Sequence, residues 1–477
     1  MDALNLGLED KSANYPKTAT SFKSLESQES LSTRTTSSIT SKSSIKTIPK
    51  NKRIDVIEEY KKRSSDKVSL NLVIIVNEKT MRKYERDSSK IGKSSFAYAW
   101  VLDETGEERS RGITMDIAIT KFETEHRRFT LLDAPGHRDF IPNMISGAAQ
   151  ADVAILVVDA TTGEFEAGFD ANGQTKEHAL LVRSLGVQQL IVAINKLDVV
   201  NWSQDRYKEI MAKLNPFLTQ AGFKKDKVIY VPCSGLTGEN LLKRSENVLE
   251  WYSGPTLVEQ IDQFEPPIRL LEKPFRLSVS DFFKGGIGSM GGVTVAGRIE
   301  AGNIQIGEGV TVIPGGEHGV VKGLEVNNSS SKWAVAGDSV LMTLAELDII
   351  QLKIGSILCS ISHPVPVTSH FLAQIVVFEI IKVPITRGFP VILHRQSLNE
   401  PAIITKLISI LDKSTGAILK KNPRCLVKSS NAIVEIELSN RPIPLETFKE
   451  NKELGRIMLR KGGETVAAGI VTNVSIL

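Results

Sequence analysis

Residues Val153 to Asp198 read VAILVVDATTGEFEAGFDANGQTKEHALLVRSLGVQQLIVAINKLD, and this stretch decides the fold. VAILVVD and QLIVAI are short, continuous apolar runs rich in β-branched residues, the mark of strands buried on both faces. Between them, TKEHALLVRSLG has amphipathic helical spacing. A strand, a helix and a second strand in that order predict parallel strands joined by a covering helix. The same rhythm extends outward. LNLVII (Leu70 to Ile75), FTLLD (Phe129 to Asp133) and VIYVPC (Val228 to Cys233) read as further strands, and SQDRYKEIMAKLNPFLTQAG reads as a helix closed by Gly222. Residues 67–268 are therefore expected to form an α/β domain with a mostly parallel sheet. Such sheets bind ligands at the carboxyl ends of their strands. DAPGH (Asp133 to His137), NKLD (Asn195 to Asp198) and SGL (Ser234 to Leu236) each begin where a strand stops.

A chain of 477 residues exceeds one hydrophobic core. Beyond the joint EPPIRLLEKPF the pattern changes to short alternating strands with recurrent glycine, as in GGVTVAGRIEAGNIQIGEGVTVIPGG. Gly297, Gly302 and Gly307, five residues apart, suit the tight turns of a small barrel. A second joint, SISHPVPVTSH, precedes another all-β stretch. The expected order is a Ser/Thr/Lys-rich disordered tail (1–66), the α/β domain (67–268) and two β-barrels (269–362 and 363–477). Within the tail, IDVIEEYKKR (Ile54 to Arg63) can form a short helix. Net charge is +4, compatible with nucleic-acid contact without requiring it. Cys233, Cys359 and Cys425 stand far apart with no CxxC pair, which argues against a disulfide framework or zinc site and fits a reducing compartment. No apolar run reaches the ~18 residues of a membrane helix, and the N-terminus lacks a signal pattern. A cytoplasmic protein with no membrane contact is expected.

The strand-end motifs carry nucleotide chemistry. A carboxylate such as Asp198 can accept two N–H bonds from the guanine edge, a pair that adenine does not offer. Asn195 would tie neighbouring loops, Lys196 would lay its alkyl chain over the ring, and Ser234, Gly235 and Leu236 would offer backbone donors to the guanine oxygen. Asp133 is placed to hold Mg²⁺ through water. Gly136 lets its N–H approach a terminal phosphate, and His137 is placed to orient the attacking water. Thr114, in RGIT upstream, can add a hydroxyl to Mg²⁺. Ala134, Pro135 and Leu197 complete the two nucleotide-binding loops.

DAPGHRDFIPNMISGAAQADVAILVVDATTGEFEAGF and GQTKEHALLVRSLGVQQLIVAINKLD resemble the translational GTPase family. FAYAWVLDETGEERSRGITMD, KPFRLSVSDFF and GRIEAGNIQIG are most similar to its HBS-like branch, the ribosome-rescue GTPases that work with a Pelota/Dom34-like protein. Release-factor-partner and aminoacyl-tRNA-carrier branches are the alternatives. The resemblance covers about 67–477 and implies a G domain, two barrels, GTP and Mg²⁺ as ligands, and GTP hydrolysis by a monomer. The ribosome and Pelota are the implied partners.

One departure stands out. A phosphate loop needs G-x-x-x-x-G-K-[ST] directly after a strand, yet LNLVII runs into VNEKTMRKYERD, which has no glycine. Gly92-Lys93-Ser94 is a decoy: Asp87 stands where the first glycine should be, and KYERDSSK is no strand. The family's loop and the helix it caps are missing as one block, as a skipped coding segment would leave it. Impaired GTP binding, a weakened G domain and an uncovered sheet face are the expected consequences. A variant that binds its partners without hydrolysing GTP is the alternative reading.

Overall fold

The computed structural model describes residues 54–63, 68–76, 117–136, 138–170, 173–245, 247–286, 291–326, 329–379, 381–413 and 415–475. Residues 1–53 and 64–66 of the expected tail, the decoy at Gly92 to Ser94, and Arg111 to Thr114 and His137 lie outside them. After a first helix, α1 (Val56–Arg63), come β1 (Val68–Val76), β2 (Ala118–Glu123), β3 (Arg127–Ala134), β4 (Val153–Asp159), β5 (Leu190–Asn195) and β6 (Val228–Pro232). They form one sheet in the order β2-β3-β1-β4-β5-β6, parallel except for β2.

The helices are α2 (Ile141–Ala148), α3 (Glu164–Phe169), α4 (Gln174–Ser184), α5 (Gln204–Gln220) and α6 (Leu257–Asp262). Ser203 starts α5 by accepting a bond from the Arg206 N–H, and Gly222 ends it at φ +99°, a conformation costly for any residue with a Cβ. One sheet face buries Val73, Leu132 and Val192 against Ile141 and Met144 of α2, Leu181 of α4 and Ile210 and Leu214 of α5. The opposite face buries Leu72, Phe129, Ile155 and Val231 with Ile261 and Phe264, and among the described residues α6 is its helix. Toward the carboxyl ends of the strands on that face, Ile74, Leu131 and Val157 are only half-buried.

β2 is not announced by an apolar run. It is an antiparallel edge strand whose Phe122 stacks on Phe129 at 5.1 Å, and its register with β3 runs from Ala118 opposite Asp133 to Glu123 opposite Arg128. An edge strand needs only half its side chains buried, so its signal is weak.

Two closed barrels follow. In the first, Gly309–Ile313, Ile357–Ser360, Arg276–Lys284, Val293–Ala301, Ser339–Ala345 and His318–Val326 pair in that order, and the last closes on the first. In the second, Phe389–Arg395, Arg456–Lys461, Glu464–Val474, His370–Val377, Asn431–Leu438 and Leu398–Leu411 do the same. Gly302 and Gly307 turn the chain at φ +75° and +86°, as expected. Gly297 does not. It lies inside the strand Val293–Ala301, where a Cβ would sit 2.2 Å from the Ser278 carbonyl oxygen, so it permits close strand approach at a bulge.

α1 packs on the first barrel. Val56 is buried, and the Gln305 side chain accepts from the Ile54 N–H at 3.1 Å while donating to the Ile54 carbonyl at 3.4 Å. Asp55 accepts the N–H groups of Ile57 and Glu58, satisfying the open end of the helix.

A buried polar cluster joins the G domain to both barrels. Asp152, on the loop before β4, accepts from Arg298 at 2.6 Å and from Arg269 at 3.1 Å. Burial opposes ionisation of Asp152, but the two arginines outweigh it and hold the carboxyl below its usual range. Next to it, Glu300 accepts a 2.7 Å bond from Gln396 of the second barrel, and Ser146 of α2 meets Ser397 at 2.8 Å. Burial pushes Glu300 up to about 7, against the pull of Arg298; Glu453 and Asp152 add to the rise and Arg395 opposes it. The folded chain therefore binds a proton that the unfolded chain has released between an ordinary 4.5 and about 7, and this group's contribution to stability falls as pH rises through that window. Glu300→Gln is expected to remove that slope. Thermal melts at a series of pH values should show the variant gaining on the parent as pH rises, and a constant difference would refute the assignment.

Candidate guanine-nucleotide site

The carboxyl ends of β3, β5 and β6 bring three of the expected loops to one edge of the sheet. Asn195 is the last residue of β5, and its Oδ1 accepts both its neighbour's N–H, from Lys196 at 2.8 Å, and the Gly235 N–H at 2.8 Å. The NKLD loop is thus stitched to the SGL loop, 40 residues onward. Lys196 adopts a left-handed φ of +62°, which throws its side chain back over the sheet edge. Its Nζ bonds Asp159 Oδ2 at 2.8 Å, a buried ion pair at the end of β4. The Leu197 N–H reaches the Cys233 carbonyl at 3.4 Å, and the Cys233 N–H reaches that of Ile194 at 2.9 Å, so the loops advance in step with the strands.

Asp198 is half-buried, and among the described residues its Oδ1 is shut away from water with no hydrogen-bond partner. Leaving a buried acceptor unmatched costs about 1–3 kcal/mol, more for a charged one. Burial, with the Asp198 charge added, pushes the neighbouring Cys233 thiol up to about 12. Across the gap, Ser234 is fully buried and its Oγ accepts from the Thr237 N–H at 3.2 Å, which shapes the turn; Gly235 and Leu236 are exposed. A planar ligand with two adjacent N–H donors is the match for a carboxylate in this place, and the purine edge of guanosine is such a ligand.

Asp133 ends the run FTLLD opposite Ile74 of β1, half-buried, with Ala134 and Pro135 buried behind it and Gly136 more open. Three supporting residues were not identified from the sequence. Asp159 anchors Lys196. Arg206 of α5 donates to the Ala160 carbonyl at 2.8 Å and to both oxygens of Glu166, at 2.8 and 3.1 Å, fixing the loop after β4. That bond holds the Glu166 carboxyl down to about 2. His178 of α4 is buried, and its ring bonds the Gly136 carbonyl. Burial nonetheless lowers it to about 4, so it supports the DAPGH turn as a neutral ring. Asp159 was legible as a strand-ending carboxylate in the same row as Asp133 and Asn195; Arg206 and His178 were hidden in helical spacing.

If the Asp198 oxygen accepts from the 2-amino group, inosine triphosphate, which lacks it, should bind about 10–100-fold more weakly than GTP, as one lost bond to a charged acceptor costs about 1.5–3 kcal/mol. Competition against a fluorescent guanine nucleotide measures this, and equal binding would remove the proposed role.

Residues 70–267 match the elongation factor Tu GTP binding domain family, and residues 370–472 match the GTP-eEF1A C-terminal domain-like family. Over 401 residues the chain is 55% identical to Protein HBS1 of Drosophila melanogaster, covering 84% of this chain and 59% of that protein. Over 402 residues it is 41% identical to elongation factor 1-alpha of Cenarchaeum symbiosum (strain A), covering 84% of this chain and 91% of that protein. The Ski7 GTPase-like domain of S. cerevisiae, solved bound to GTP, shares the fold with a TM-score of 0.69 at 19% identity, over 88% of this chain and 100% of that one. With its G domain, two closed barrels and sequence identity across all three, the chain belongs to the translational GTPase family that includes elongation factor 1-alpha.

Proposed function

We propose that this chain is a guanine-nucleotide-binding translation factor of the HBS-like branch. It would deliver a Pelota-type partner to stalled ribosomes for ribosome rescue and no-go or non-stop mRNA decay, with GTP hydrolysis driving its release. The observation that carries the reading is the pair of loops at the strand ends, NKLD tied to SGL by Asn195, with an Asp198 oxygen beside them left unpaired among the described residues. In this scheme Asp198 selects the base, Lys196 covers it, and Leu236 presents the backbone donor, because the N–H groups of Ser234 and Gly235 are taken by the Glu239 carbonyl and by Asn195. Asp133 would hold Mg²⁺ through water, with Thr114 as a second oxygen; the ion supplies positive charge to the outer phosphates. Gly136 would donate to the terminal phosphate and His137 would orient the water.

The sequence lacks the loop that should cradle the phosphates, so base recognition is kept and the phosphate hold is weakened. Titration with fluorescent GTP and ATP analogues in Mg²⁺ tests this. Guanine-selective binding weaker than micromolar is expected; micromolar or tighter binding contradicts the weakened hold, and absence of selectivity contradicts the base site. Asp198→Asn should abolish the selectivity, with a loss of several kcal/mol for guanine. A second reading, a non-hydrolysing competitor that still binds Pelota or the ribosome, is favoured by two complete barrels on a chain without that loop. Pull-down with Pelota supports it if GTP hydrolysis is absent while the partner is retained.

A further inference from the structure

The second barrel closes by pairing Phe389–Arg395 with Leu398–Leu411, which leaves one strand of that seven-stranded sheet outside the closure. Among the described residues that strand, Ile418–Lys421, pairs on one side only, with the far end of Leu398–Leu411, through a register shift that leaves Leu419 without an opposite residue. All four of its residues are exposed, Ile418 at 55% and Leu419 at 65%. The hairpin that carries it is braced by Asp412, whose Oδ1 accepts from the Thr415 N–H and hydroxyl at 2.8 and 2.9 Å, so it is a shaped projection. Between residues 413 and 428 stand Lys413, Lys420, Lys421, Arg424 and Lys428, and no carboxylate.

Lysine on an edge strand is a common guard against unwanted pairing. A guard does not call for two adjacent exposed aliphatic side chains, and those are what an added strand would bury. We infer that Ile418–Lys421 is a docking edge for an extended acidic segment of a partner protein carrying alternate apolar residues. The segment would add to the sheet through main-chain hydrogen bonds, with its apolar row on the face of Leu419 and its carboxylates on the opposite face, where Lys420 stands. RNA would satisfy the charges but has no apolar counterpart for the two aliphatic residues, and residues 413–428 offer it no aromatic ring to stack on. This edge belongs to the barrel and is independent of the nucleotide reading.

The test uses the full chain and fluorescence anisotropy with a fluorescein-labelled decapeptide of alternating glutamate and valine. Deca-glutamate and a single-stranded RNA are the comparison probes. The alternating peptide should bind about 10-fold more tightly than either. The double charge reversal K420E/K421E should weaken it about 10-fold, and the independent pair I418S/L419S by a similar factor. Both pairs replace exposed side chains, and thermal melting checks that each folds. Hydrogen exchange at the amides of residues 418–421 should slow when the peptide is added. Tighter binding of RNA, equal binding of deca-glutamate, insensitivity to either double variant, or unchanged exchange at those amides would each overturn the proposal.

Discussion

Inserting a G-x-x-x-x-G-K-S loop and the helix it opens, roughly twenty residues in all, between Ile75 and Val76 is expected to tighten GTP binding by about 10³–10⁴-fold. β1 already lies in the middle of the sheet, between β3 and β4, with Ile74 opposite Asp133. Its carboxyl end therefore points to where the phosphates of a guanosine held at Asp198 would fall. What the sequence lacks there is a set of backbone N–H donors, a lysine for the outer phosphates and a hydroxyl for the metal. Three charge-assisted bonds at about 1.5 kcal/mol each, the low end of their range, account for the expected gain. The inserted helix should also cover the face on which Ile74, Leu131 and Val157 are half-buried, so the melting temperature should rise even without nucleotide. Parallel titration of both proteins with a fluorescent GTP analogue decides the matter. A gain below about tenfold would mean that other residues already supply the phosphate contacts.

Asp152→Ala is expected to destabilise the chain by about 3–5 kcal/mol, the usual result of removing one partner from a buried ionic group. Arg298 and Arg269 would lose their shared carboxylate while staying out of water, with side chains only 10% and 12% exposed. The same carboxylate accepts the Asn71 N–H of β1 at 3.0 Å, so a sheet strand loses a bond as well. Urea denaturation measures the change. Replacing Asp152, Arg298 and Arg269 together by apolar residues of similar volume should recover much of it, because an unmatched charge is worse than a missing ionic group. A single-variant loss below about 1 kcal/mol would show that water reaches the arginines.

The strands of the G domain were legible because both faces of β1, β4 and β5 are buried, which forces unbroken apolar runs such as VAILVVD. The position of the candidate site was legible for a related reason: Asp133, Asn195 and Ser234 follow directly on those runs. β2 was not, since AITKFE buries one side only and its apolar residues are spaced as they would be in a loop. Gly297 looked like its turn-forming neighbours because a glycine needed for close strand approach and one needed for positive φ have the same letter. The junction was illegible for a different reason. Asp152 and Arg298 are 146 residues apart, and each alone reads as an ordinary surface charge. Lys196 could be assigned to the nucleotide loop, but its bond to Asp159 depends on a left-handed backbone that no spacing announces.

β1 is tied at both ends to different business. Its Asn71 grips the Gln150–Asp152 loop, through a side-chain bond of 3.0 Å to the Gln150 carbonyl and a backbone bond to Asp152, and that loop in turn grips the first barrel. Roughly 16 Å along the strand, at about 3.3 Å per residue, Val76 ends at the carboxyl edge of the sheet. One strand thus spans from the carboxyl edge of the sheet to the buried polar junction that the G domain shares with the barrels.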